Sequence, residues 1–167
     1  MTFLSSLLRA QRGFATIEFA FASIFLFGII MVALDIGVYA QQKLRLGNAV
    51  EQAAIIAFNG RAGTVDTASI TTYVAAVAGG SPQLSYQCNG GTCGGAVATK
   101  CIGAQGADGW PTYTDPTTSN GVTSCADGSL PGSYMAIRAT RTYQSVVVPD
   151  RYLNGGTMQQ QAVVRLS

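Results

Sequence analysis

Glu18 is the only charge in the apolar run Phe14–Leu34, and Arg12-Gly13 stands immediately before that run. A carboxylate held in lipid costs roughly 2.5–3.5 kcal/mol on insertion scales, so it normally has a partner or a purpose. A cut between Gly13 and Phe14 supplies a partner. It makes a charged amine at Phe14, and Glu18 then lies one helical turn away as the fifth residue of the shortened chain. Amine and carboxylate can neutralise one another, within one chain or between neighbours in an assembly, and the pair costs less than either charge alone. Two blander readings compete. An ordinary secretory signal is cleaved after a shorter apolar stretch, whereas Ala20-Phe21-Ala22, which has the small residues for cleavage, lies inside this run. A plain uncleaved anchor fits the hydrophobicity but gives Glu18 no role.

The second set of reactive residues is Cys88, Cys93, Cys101 and Cys125, all in one Gly-rich region. An even count behind a membrane or export signal suggests disulfides in an oxidising compartment. Four cysteines allow three pairings. Nearest-neighbour pairing, Cys88–Cys93 with Cys101–Cys125, closes the shortest loops and is favoured, although sequence does not decide it. The separations of five, eight and twenty-four residues contain no CxxC pair, which argues against zinc.

Other chemistry is sparse. The chain has no histidine, which removes the usual general base and the commonest metal ligand. There is no GxSxG and no P-loop, so the expectation is no enzyme, no catalytic residues, no metal and no cofactor. Net charge is +2, too small and scattered for a nucleic-acid footprint. Asp108, Asp115 and Asp127 do not fit an EF-hand spacing and read as solvated turn residues. Trp110 and Tyr113 lie in the same region and raise an exposed recognition loop as an alternative.

The elements that position these residues follow from periodicity. Charged residues are only 11% of 167, against about 25% in an average soluble domain. The apolar excess is concentrated in the first sixty positions. About twenty residues at 1.5 Å rise match the hydrocarbon core of a bilayer, so Phe14–Leu34 reads as a span. Arg9 and Arg12 precede it, which predicts a cytoplasmic N-terminus and an exported C-terminus. Beyond Leu34 the pattern stays helical, with Ile36, Tyr39, Leu46, Val50, Ala53 and Ala57 on one face. Gly60 and Gly63 end it. A helix over Phe14–Phe58 is about 65–70 Å long, half in lipid and half docked on a periplasmic domain.

Asp66–Ala78 predicts a second helix, N-capped by Asp66 and stopped by Gly79-Gly80. Pro82–Cys88 reads as a strand. Asn89–Gly132 is a long irregular insertion, ordered through its cross-links. Tyr134–Val148 reads as a strand with a bulge or break, because neither alternating set is apolar throughout. Thr157–Leu166 is the last strand and pairs with it as an antiparallel hairpin. The expected class is α+β: a long N-terminal helix, transmembrane in its first half, on a small antiparallel sheet with a disulfide-rich insertion.

Arg12-Gly13, Phe14 and Glu18-Phe19 at the start of an apolar helix resemble the type IV prepilin signal. Asp35-Ile36-Gly37, Gln42-Lys43-Leu44 and Asn48–Ala54 then resemble the TadE-like family, the minor pilins or pseudopilins of the tight-adherence (Tad/Flp) pilus. ATRTYQSVVVP and TMQQQAVVRL resemble the family's closing strands. The sister TadF-like proteins share this layout. Two departures are Ser23-Ile24-Phe25 where many relatives carry a proline, and Ile55-Ile56-Ala57-Phe58 where many carry an arginine-containing stretch.

The resemblance implies a pilin-like fold in three parts. Residues 1–13 are a cytoplasmic leader, residues 14–60 the long helix with 14–34 in the membrane, and residues 61–167 a periplasmic or extracellular head with the insertion 88–132. Prepilin peptidase cuts between Gly13 and Phe14, and Phe14 and Glu18 pair charges during assembly. Implied partners are the peptidase, other major and minor pilins and the inner-membrane platform of the pilus, with roles in initiating or capping the filament. The implied location is the bacterial inner membrane, in a single pass, or the extracellular pilus itself. The competing function class is a membrane-anchored adhesive module at a pilus tip or cell surface.

Overall fold

No proline occurs before Pro82, and alanine, leucine, isoleucine and phenylalanine dominate the first fifty-nine residues, so nothing breaks a helix once it starts. The computed structural model describes residues 3–61, 65–94 and 98–167, with side chains from Phe14 onward. In it α1 runs without interruption over Phe3–Asn59. It starts ahead of Phe14, so the Gly13–Phe14 bond lies inside a continuous helix. Gly60 and Arg61 end it: the Gly60 N–H reaches the Ile56 carbonyl at 3.0 Å and the Arg61 guanidinium donates to the Phe58 carbonyl at 3.1 Å. Gly63, expected to share in this stop, lies outside the described residues.

Helix α2 (Thr67–Ala78) begins at the Asp66 cap. One carboxylate oxygen accepts from the N–H groups of Ala68 at 3.0 Å and Ser69 at 3.3 Å, and the other from the Ser69 hydroxyl at 2.5 Å. At the far end Gly79 and Gly80 take φ of 68° and 71°, a region that costs most residues energy. Arg141 donates to the carbonyls of Ala78 at 3.0 Å and Gly79 at 2.8 Å, which satisfies acceptors that a helix end leaves open.

The main sheet is antiparallel with three strands in the order β1 (Gln83–Cys88), β6 (Tyr134–Thr142), β7 (Thr157–Arg165). Ile137 faces Tyr86 on one side and Ala162 on the other. The residues Met135, Ile137 and Ala139 of β6 and Met158 of β7 are completely buried and pack on Leu46, Val50, Ala53 and Ala57 of α1 and Ile70 and Val74 of α2. Burying each large side chain contributes roughly 1.5–3 kcal/mol, and this contact holds the second half of α1 to the head. Of the predicted helix face, Leu46, Val50, Ala53 and Ala57 form this core, while Ile36 stays 47% exposed. Ile36 therefore belongs with the apolar half.

Two expectations shift. The insertion is more regular than its composition suggests: β2 (Cys101–Gln105) pairs with β3 (Pro111–Thr114), and β4 (Thr117–Ser119) with β5 (Val122–Ser124). These hairpins are short because glycine and proline interrupt every run. Strand β6 ends at Thr142, not Val148, because Tyr143–Val148 leaves the sheet to meet α1.

Candidate functional site

The helix divides sharply. Phe14, Ile17, Phe19, Phe21, Ile24, Phe25, Leu26, Phe27 and Leu34 are all more than half exposed, around the whole circumference. A helix that is apolar on every side and exposed is suited to lipid or to other such helices. It is the one described helix long and apolar enough to cross a membrane, with an 18-residue window of mean hydropathy 2.4 and none of that window buried in the head. Phe14 is 72% exposed and Glu18, one turn along, is exposed beside it. Among the described residues no ion pair engages Glu18. The surroundings of Gly13 and the side chains of Arg9 and Arg12 lie outside the described residues. In this chain Phe14 has a peptide nitrogen in place of an amine, so the charge pair expected from the sequence has only one of its members here.

The four cysteines form two disulfides, Cys88–Cys93 and Cys101–Cys125. The first closes a tight turn at the end of β1, where Asn89 and Gly90 take positive φ. Asn89 joins the insertion to the sheet: its side-chain oxygen accepts from the Tyr134 N–H at 2.7 Å and its amide donates to the Ala98 carbonyl at 2.5 Å. The second disulfide ties the start of β2 to the segment after β5. Trp110 is half-buried, and the Arg138 guanidinium stacks 3.8 Å from its ring centroid while donating to the Asp108 carbonyl at 3.2 Å and to Gln161 of β7. The insertion thus covers the face of β6 that the helices leave open. Tyr113 is half-buried against Gly90. Asp115 pairs with Lys100 at 2.5 Å, and Asp127 caps its own turn through Ser129. Among the described residues no cluster of acids or cysteines is arranged for a metal.

One group of residues was missed as a site. Asp35, first residue after the apolar run, is only 5% exposed. One carboxylate oxygen accepts from the N–H groups of Val146 (3.1 Å), Val147 (2.9 Å) and Val148 (2.9 Å), and the other from the Tyr143 hydroxyl at 2.5 Å. Successive backbone N–H groups folded round one anion form a nest, which supplies the donors that water would otherwise provide. Tyr143 also meets Tyr39 edge to face, with centroids 5.4 Å apart. The available signal was Asp35 itself: a carboxylate at the end of an apolar run needs donors, and the β-branched Val146–Val148 reads locally as strand, which masks the nest.

The class shown is α+β: a head with small antiparallel sheets on a long helix whose exposed half is apolar on all sides. The family described as TadE-like protein matches residues 13–54, so the resemblance carried by Gly13–Glu18 and Asp35–Ala54 stands. That match lies wholly within α1 and does not reach the head. No match is found among curated proteins or among solved structures.

Proposed function

We infer that the chain is the precursor of a minor pilin, or pseudopilin, of a Tad/Flp-type pilus. The observation that carries this reading is the divided helix: one half bound to the head, the other exposed and apolar with a carboxylate one turn beyond Gly13-Phe14. Residues 1–13 are the cytoplasmic leader, removed by prepilin peptidase. Phe14–Leu34 crosses the inner membrane and then packs against equivalent helices, and residues 61–167 face the periplasm or the filament surface. Glu18 meets the Phe14 amine of a neighbouring subunit, which sets axial register and removes two lone charges. In this reading the protein helps to initiate or cap the filament.

The test is Glu18→Ala and Glu18→Gln in the pilus-forming strain. Both variants should insert and be cut as before, and both should lower pilus number sharply. Normal pilus number with either variant removes the pairing role. An adhesive role for the insertion is a separate reading, but the packing of Trp110 under Arg138 favours a cover for the sheet. Deleting the insertion would separate the two, since loss of adhesion with normal pili would favour the adhesive role.

A further inference from the structure

The nest around Asp35 has an outer side. With three N–H groups turned toward the carboxylate, Val146 is left 80% exposed and Val147 45% exposed. Val147 lies along the flank of α1. It lines one apolar groove with Met31, Leu34 and Val38, and a second that extends to Phe25 and Gly28. The head therefore places Val147 against the apolar half of the helix and leaves Val146 projecting beside it. The helix itself continues the trend. Ile36-Gly37-Val38-Tyr39-Ala40 carries no charge, Ile36 and Val38 are 47% and 43% exposed, and apart from the Tyr39 hydroxyl the first polar side chain after Asp35 is Gln41. Asp35 is the only polar side chain between Ser23 and Tyr39, and the protein supplies its donors. Tyr39 and Tyr143 meet at this level, and tyrosines commonly mark the boundary between acyl chains and headgroups.

We propose that the Val146–Val147 tip enters the acyl chains of the bilayer that α1 crosses, placing the outer edge of the apolar core near Val38 instead of Leu34. The grooves beside Val147 are then filled by acyl chains. This rests on the reading of α1 as a span. Its consequence is felt at the other end of the helix. A core of about 30 Å takes about 20 residues at 1.5 Å each, and counting back from Val38 that reaches Glu18. Moving the helix toward the cytoplasm by about one turn shifts Glu18 from inside the core to its cytoplasmic edge. The loop on the head thus sets the depth of the carboxylate at the far end of the span.

The experiment uses the full chain, one copy per lipid nanodisc, with a nitroxide on Val146→Cys. All four native cysteines are paired, so the new thiol is the only one free to react. Leu26→Cys on the span and Leu130→Cys on the head are the references for lipid and water; both side chains are exposed. Relaxation is measured with oxygen, which concentrates in acyl chains, and with a water-soluble nickel chelate. The expected oxygen-to-nickel ratio at position 146 is several-fold above that at 130, approaching that at 26. A ratio equal to that at 130 places the tip in water and overturns the proposal. Shielding from both reagents means that protein covers the tip and overturns lipid as the occupant. If position 26 itself reads as water, the span reading falls and takes the proposal with it. In a second arm, Val146→Asp with Val147→Asp should let a nitroxide at Ile17→Cys move deeper into lipid. An unchanged depth there would overturn the depth-setting role.

Discussion

Removing the Cys101–Cys125 disulfide tests how the insertion is held. The two cysteines are 24 residues apart, and those of the other bridge 5. On the loop-entropy account, closing the longer loop contributes about 3.5 kcal/mol and the shorter about 2 kcal/mol. The chain's one tryptophan, Trp110, lies inside the longer loop and is stacked on Arg138 of β6, so its fluorescence reports on the insertion while far-UV circular dichroism reports on α1 and the main sheet. With a urea dependence of roughly 1–3 kcal/mol per molar, loss of about 3.5 kcal/mol moves a midpoint by about 1–3 M. The full chain in mild detergent, carrying Cys101→Ala and Cys125→Ala, should show the Trp110 transition shifted down by that amount and preceding the loss of helix signal. Cys88→Ala with Cys93→Ala should shift it less, by close to tenfold in the local equilibrium. An equal shift from both pairs, or coincident fluorescence and dichroism transitions in the Cys101/Cys125 variant, would refute loop closure as the device that holds this cover in place.

Other outcomes follow from the same geometry. Leu46→Ala removes a fully buried side chain from the helix–sheet contact and should cost about 2–5 kcal/mol in denaturant unfolding, whereas Glu51→Ala on the exposed face should change stability by about 0.5 kcal/mol or less. Acid should weaken the head. Hydrogen bonds from the Ser69 hydroxyl and from backbone N–H groups hold Asp66 below the ordinary carboxylate range, and Ser129 does the same for Asp127. A carboxylate with a lowered folded value adds stability above its unfolded value, 3.8, and that stability is lost as pH falls through the folded one. Melting temperature should therefore be level near neutrality and fall below about pH 4, and Asp66→Asn should flatten part of that fall.

The helices could be read closely because their signals are local. Asp66 as a cap and Gly79-Gly80 as a stop act within a few residues, and α2 occupies Thr67–Ala78 between them. The division of α1 was also readable, since Leu46, Val50, Ala53 and Ala57 recur at helical steps while Phe14–Leu34 is apolar throughout. The end of β6 was not. Tyr143–Val148 has strand composition, and only the distant demand of Asp35 for donors, more than a hundred residues earlier, draws it out of the sheet. Trp110 is a similar case: in sequence it is an aromatic in a loop, and its cover depends on Arg138 arriving from another strand.

The central claim is that Phe14 becomes a chain terminus and so supplies a charge partner for Glu18. Intact mass of the protein, taken from membranes of strains with and without prepilin peptidase, tests this directly. The account predicts a chain beginning at Phe14 in the first strain and the full precursor in the second. Equal masses in both strains, each matching an uncut N-terminus, would contradict it.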